Sequence, residues 1–296
     1  MIYRILVNTS IFLVIALCSC EMNKNPLDNQ YFVNQNYIDS TKIYIDDGIY
    51  IELDGLKDVY TLDDTLKGHL YLINEDNKQG MWIYIGSWPP AGGYSIWDEQ
   101  DNYLYFNVWV IGCAVFDYTL MPGDTLSENI LWTQWFETPF SIYSGLKIFS
   151  GKYKLTGCFW GNEKLMDKYA VKWFEIKEQG DPISTKAHQY YESEDSIKVS
   201  FLIRNRISQA QQFLFMSEKK IEISYESHND TVFKQVEYLD IQSDKIVIEP
   251  KSDILFYTYS ISKNDPIISD FTGAYNLTIA IPFKERYIKA SIKIYL

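Results

Sequence analysis

Histidine is nearly missing from this 296-residue chain, with three copies at His69, His188 and His228. No two of them share a spacing such as His-x-x-x-His, and no acidic cluster has a ligand rhythm, so no metal centre is expected. There is no Gly-x-Ser-x-Gly elbow, no phosphate-cradling loop and no reactive-cysteine context, which removes the usual signs of a hydrolase or nucleotide enzyme. Positive charge is also short: 27 Lys and Arg stand against 39 Asp and Glu, a net charge of −12. Nucleic acid and anionic lipid head groups are therefore poor partners. Long apolar runs are confined to the first twenty residues, so the body is expected to be soluble. Convincing helical periods are scarce as well.

What the chain does have begins at its start. One early charge, Arg4, precedes an apolar run from Ile5 to Leu17. That length suits a secretory signal and is short for a membrane span. The run ends in Leu17-Cys18-Ser19-Cys20, a tetrad similar to the lipobox of bacterial lipoprotein precursors. Cys18 fits less well than Cys20, because bulky Leu17 precedes it. The resemblance implies a signal peptide over residues 1–19 and a lipid-carrying Cys20 at the start of the mature chain. Palmitate-type acylation would then anchor the protein to a bilayer of the cell envelope, at the outer membrane or cell surface. Residues 20–37 read as a flexible tether, because Glu21 to Asn36 is rich in Asn, Gln and Asp and poor in aliphatic residues.

With Cys18 and Cys20 set aside, Cys113 and Cys158 remain. An exported chain meets oxidising conditions, so the two either pair as a disulfide or stand as separate thiols in strands.

The body repeats itself. Tyr60-Thr-Leu-Asp63-Asp64-Thr65-Leu66-Lys67, running on to Asn74, returns 131 positions later as Tyr191-Glu-Ser-Glu194-Asp195-Ser196-Ile197-Lys198, running on to Asn205. Met121-Pro122-Gly123-Asp124 then faces Glu249-Pro250-Lys251-Ser252, and Gly151-Lys-Tyr153-Lys-Leu155-Thr156 faces Gly273-Ala-Tyr275-Asn-Leu277-Thr278. The offset drifts to 128 and then 122, as it would if loops change length while strands are kept. The second half has Ala280 opposite Cys158 and no cysteine near the counterpart of Cys113, so a bond between the two would be special to the first half.

Ile197, Val199, Phe201 and Ile203 alternate with Lys198, Ser200 and Arg204. A period of two marks a strand with one buried face. Leu66, Leu70 and Leu72 do the same against Lys67 and His69, and turn signals such as Asp54-Gly55 and Pro122-Gly123 separate the runs. The recurring Gly-x-Tyr-x-Leu places Tyr153 and Tyr275 where a tyrosine corner would sit, with the ring in the core and the hydroxyl tied to backbone. The fold expected is all-β: two tandem immunoglobulin-like antiparallel sandwiches over residues 38–178 and 182–296. Their border falls within Lys177 to Lys186, where Gly180, Asp181 and Pro182 interrupt the apolar pattern.

The recurring acidic pairs, Asp63-Asp64 and Glu194-Asp195, read as turns before strands rather than as acid–base machinery. One segment reads as a contact surface: Trp88, Pro89 and Pro90, then Tyr94 and Trp97 beyond two glycines. Rigid rings on a loop give contact area at low entropy cost. The alternative is that they cover the end of the first sandwich.

From Leu66 to Phe159, the alternating strand ending in Asn74, the Leu120-x-Pro122-Gly123-Asp124 turn with Trp132 behind it, and the Gly151-x-Tyr153 strand resemble the BsuPI-type intracellular proteinase inhibitor domain. That resemblance implies an immunoglobulin-like sandwich and binding to subtilisin-like serine proteases. A secretion signal departs from the pattern, and no reactive-site residue of the family matches a position here. The resulting expectation is a non-enzymatic, cofactor-free lipoprotein. It would bind a protein partner, a secreted or envelope serine protease in the most specific version. Structural or adhesion work in the envelope, or carbohydrate binding, are the alternatives.

Overall fold

Alternation of apolar and polar side chains produces strands throughout. In the first half these are β1 (Lys42–Asp46), β2 (Ile49–Asp54), β3 (Val59–Thr61), β4 (Leu66–Asn74), β5 (Met81–Gly86), β6 (Gly92–Asp98), β7 (Tyr103–Asn107), β8 (Val115–Leu120), β9 (Thr125–Trp132), β10 (Gly151–Phe159) and β11 (Ala170–Lys177). The second half holds β12 (Ile183–Ser193), β13 (Ser196–Asn205), β14 (Gln211–Leu214), β15 (Lys220–Ser227), β16 (Asp230–Tyr238), β17 (Lys245–Ile248), β18 (Asp253–Ser262), β19 (Ala274–Pro282) and β20 (Tyr287–Tyr295). The structure, a computed structural model, describes residues 39–75, 80–86, 92–107, 115–137, 141–159, 163–165, 167–193, 196–227, 230–262 and 273–296. Among the described residues there is no α-helix. The signal, Cys20 and the tether lie outside them.

The two halves share one plan. The first has sheets ordered β1-β2-β4-β9 and β3-β11-β10-β6-β7 with a β5-β8 pair; the second has β12-β13-β18 and β20-β19-β15-β16 with a β14-β17 pair. Removing β1 and β3 makes the orders superpose strand for strand. The pairings are antiparallel except β3 on β11, where Tyr60 lies beside Ile176 in a parallel ladder. Each half is a β-sandwich around its own apolar cluster. Leu53, Leu70, Leu155 and Trp132 belong to the first, and Phe201, Ile223, Leu277 and Ile294 to the second.

Equivalent residues do equivalent jobs. The fully buried Asn74 ends β4, and its amide donates to the Leu120 carbonyl at 2.9 Å. Asn205 ends β13 and donates to the carbonyls of Ile248 at 3.1 Å and Glu249 at 2.9 Å. Each asparagine thus holds the strand leading into the Pro-containing turn. The backbone N–H groups of Asn74 and Asn205 reach Asp124 O and Ser252 O, matched residues of those turns.

At the next matched position the backbone is left-handed in both, with φ of 86° at Gly123 and 45° at Lys251. Only glycine adopts that region without a Cβ penalty. Nothing lies within 4 Å of a Cβ built on Gly123, so Gly123→Ala should cost about 1–2 kcal/mol from backbone strain alone. Lys251→Gly should shift stability the opposite way, by up to about 1 kcal/mol. Urea midpoints of the two variants, if both moved in the same direction, would refute this account of the turns.

The tyrosine corner forms in the first half. Tyr153 is buried and its hydroxyl donates to the Phe149 carbonyl at 2.7 Å, while the ring packs on Phe174. Tyr275 sits at the matching place in β19, half-buried, next to a segment outside the described residues.

Candidate functional site

Of the residues singled out from the sequence for a binding loop, the described ones lie in a strand. Trp88, Pro89 and Pro90 lie outside the described residues, as does Cys113. Tyr94 and Trp97 are strand residues of β6, and both are buried. Tyr94, 1% exposed, donates to the Leu131 carbonyl at 2.8 Å and accepts from its N–H at 3.2 Å, clipping β6 to the opposite sheet. The Trp97 indole donates to Ser95 Oγ at 2.8 Å and Thr156 Oγ1 at 3.1 Å. Neither ring offers contact area to a partner, which corrects their placement on a binding loop. β6 starts at Gly92, so the two fall within a ladder to β10. Cys158 is a free thiol in this structure, and desolvation pushes it up to about 12, leaving it unreactive at neutral pH.

A site the sequence did not announce lies where the sandwiches meet. Residues 39–296 form one compact unit, and the most deeply buried cation among its described residues is Arg206, 0% exposed, just beyond β13. Its Nε donates to the Ile148 carbonyl at 2.9 Å, and Nη2 to Gln134 Oε1 at 2.9 Å. Its Nη1 reaches Asp63 Oδ1 at 2.9 Å and the Asp181 carbonyl at 3.2 Å. Its own carbonyl accepts from Ser150 N–H, and its N–H donates to Pro182 O. One side chain therefore joins the turn before β4, the segment between β9 and β10, and the linker.

Asp63 is the anion of this cluster. Burial alone would raise its carboxyl, but Lys147, the Asp181 N–H and Arg206 together hold it down at about 2. It adopts φ 76°, a rare conformation for a non-glycine residue, and Gln134 beside it adopts 64°. The acidic pair is thus divided in function. Asp64 accepts from Thr61 N–H at 2.7 Å, as a turn residue should, whereas Asp63 ties two sandwiches together.

The linker is equally fixed. Asp181 takes a bidentate pair from Arg286, 2.9 Å on each oxygen. A Cβ on Gly180, where φ is 125°, would stand 2.5 Å from the Leu62 carbonyl oxygen.

Further out, Arg204 grips Asp253 with two hydrogen bonds of 2.6 and 2.8 Å and donates to the Lys147 carbonyl at 3.0 Å. Its guanidinium lies 4.3 Å above the Phe149 ring. Lys186 Nζ donates to the Ser144 carbonyl. Alternation put Arg204 and Ser200 on the solvent side of β13, yet both are buried. For Arg204 the cover is the first sandwich itself. The Arg204 end of this outer face of β12-β13-β18 is where the first sandwich docks.

The equivalent face of the first sandwich, on β1-β2-β4-β9, is open. Cross-strand partners set out its rows: Tyr44–Tyr50–Ile73–Thr125, then Lys42–Glu52–Tyr71–Ser127, then Asp54–His69–Asn129. Tyr44 is 61% exposed, and its ring centroid lies 5.5 Å from that of Tyr50. Lys42 Nζ sits 3.4 Å over the Tyr50 ring, and the Tyr50 hydroxyl donates to Glu75 at 2.6 Å. His69 and Tyr71 stack at 5.6 Å and 23°. On β9, the exposed Thr125, Ser127, Asn129 and Leu131 complete the surface. Among the described residues no group of His, Cys, Asp and Glu is arranged to hold a metal.

No family model matches the chain, and no curated protein does. The resemblance to the BsuPI-type inhibitor domain is therefore matched by no family model. Among solved structures, the chain overlaps red sea bream transglutaminase at a TM-score of 0.24 and 6% identity, with 84% of this chain and 31% of that one covered. It spans less than a third of that enzyme. A DUF3823 family protein from Bacteroides ovatus overlaps at 0.24 and 10% identity over 72% of this chain and 92% of that one. The BSP domain of a biofilm-associated protein overlaps at 0.20 and 12% identity over 83% and 29%. Overlaps this loose carry no activity across.

Proposed function

We propose that the chain is a lipid-anchored, non-enzymatic component of the bacterial cell envelope, in which two sandwiches act as one stiff spacer that presents a docking face. The Arg206 junction is the observation that supports it most. A spacer has to keep its modules from folding back on one another, and a junction of charged hydrogen bonds with a packed linker does that. The lipobox-like tetrad ending in Cys20 supplies the anchor in this reading. Proteinase inhibition has no exposed, rigid reactive segment among the described residues to recommend it.

Metabolic labelling with a palmitate analogue tests the anchor. The wild-type protein should take up label and sediment with membranes, and the Cys20→Ala variant should do neither. Equal sedimentation of both, unlabelled, would remove the tether. Cross-linking in intact cells would then be expected to capture the spacer at fixed stoichiometry with neighbours in the envelope.

A further inference from the structure

The outer face of β1-β2-β4-β9 is an open sheet face that carries a stacked ring pair on β4. On the second sandwich only one end of the same face meets the first, with Arg204 and Lys186 turned toward residues 142–149, while Tyr190 and Leu255 further along stay exposed. On the first sandwich the face carries aromatic rings, short polar groups and the exposed Leu131. We infer that this face binds a neutral polysaccharide, with Tyr71 and His69 as its stacking platform and Tyr44 as a second ring along the sheet.

Three features select that ligand chemistry. First, the face has no excess of positive charge. Lys42 lies opposite Glu52, Lys67 and Asp54 flank His69 along the sheet, and Glu75 accepts from Tyr50, so two cations meet three anions. A polyanion would meet no excess of cations here.

Second, the His69 and Tyr71 rings are interleaved with polar side chains. Protein interfaces place a charge-depleted, apolar core inside a polar rim. Here Tyr71 has Glu52 on one side and Ser127 on the other, and His69 lies between Asp54 and Asn129. A sugar ring alternates apolar C–H faces with hydroxyls and suits such a surface: the faces lie on aromatic rings, and the hydroxyls reach amide, carboxylate and hydroxyl groups beside them.

Third, the platform is already set. The His69 and Tyr71 rings are nearly parallel, two residues apart on one strand, and lie on a four-stranded sheet whose other face is core. Little ordering remains to be done on binding.

This inference rests on reading the chain as a presenting spacer, but it is tested separately, since polysaccharide binding needs neither the lipid nor the junction. The full chain in detergent would be run in affinity gels containing cellulose derivatives, xylan, a β-1,3-glucan or starch, with polygalacturonate as the acidic polymer. At least one neutral polymer should retard the wild type. Tyr71→Ala should weaken that retardation tenfold or more, Tyr71→Phe should retain it, and Tyr295→Ala on the remote β20 should leave it unchanged. Thermal melts of the variants keep loss of fold apart from loss of binding. Retardation by polygalacturonate alone, by no polymer, or equally in Tyr71→Ala and wild type would overturn the inference. So would a photo-cross-linker at position 71 that captures a protein and no sugar.

Discussion

Arg206→Leu should lower the stability of the folded chain by about 3–5 kcal/mol and split one unfolding transition into two. The guanidinium is wholly buried and serves four acceptors: Ile148 O, Gln134 Oε1, Asp63 Oδ1 and Asp181 O. Leucine fills much of the volume but leaves these groups without a donor. Unsatisfied buried acceptors cost about 1–3 kcal/mol each before relaxation, so water must enter or the sandwiches must part. Calorimetry should then resolve two peaks. A single transition within about 2 °C of the wild type would show the junction to be inert.

The same cluster sets an acid limit. The Asp63 carboxyl is depressed in the folded state, so its contribution is present above its unfolded value of about 4 and disappears as pH falls through about 2. Its side chain is 37% exposed, so screening by solvent keeps this term small beside the loss of Arg206.

Trp132→Ala should cost a comparable amount, about 3–5 kcal/mol, for a different reason. The indole is 1% exposed and lies between Tyr105 and Phe174, at centroid distances of 6.1 and 6.4 Å. Truncation leaves a cavity that the two sheets cannot close without moving. Trp132→Phe keeps a ring there and gives up the indole hydrogen bond to Trp135 O, 3.0 Å long, at about 1 kcal/mol. Urea titrations of the pair separate packing from hydrogen bonding. Equal losses in both would mean that the ring fills no essential volume.

Much of the scaffold could be read from residue order because alternation is a local property. Leu66, Leu70 and Leu72 face inward and Lys67 and His69 outward, as the period of two requires. Met166 to Ile176 could be read as helix or strand, and β11 occupies its latter part. Tyr153 could be placed because its corner bond spans four residues.

What parity cannot report is whether a second body covers the outward face. Arg204 followed the solvent rhythm of β13 and is nonetheless buried. Asp63 looked like half of a turn pair, and its partner Arg206 lies 143 residues away. One signal was available: the second half carries Arg206 where the first, 131 positions earlier, carries Glu75. A charge change at an otherwise matched landmark marks a place where the halves are not interchangeable. Tyr94 and Trp97 failed for the opposite reason. Their proximity to Pro-Pro and Gly-Gly suggested a loop, but β6 begins at Gly92, one residue earlier than the second glycine.

The short strand β3 carries a consequence for how the molecule is made. Val59–Thr61 has its neighbour in Glu175–Lys177, more than a hundred residues downstream, so the amino-terminal sandwich stays unsealed on that edge until its final strand has been synthesised. Among the described residues the second copy has no counterpart of this strand, so its sandwich closes without that long-range step.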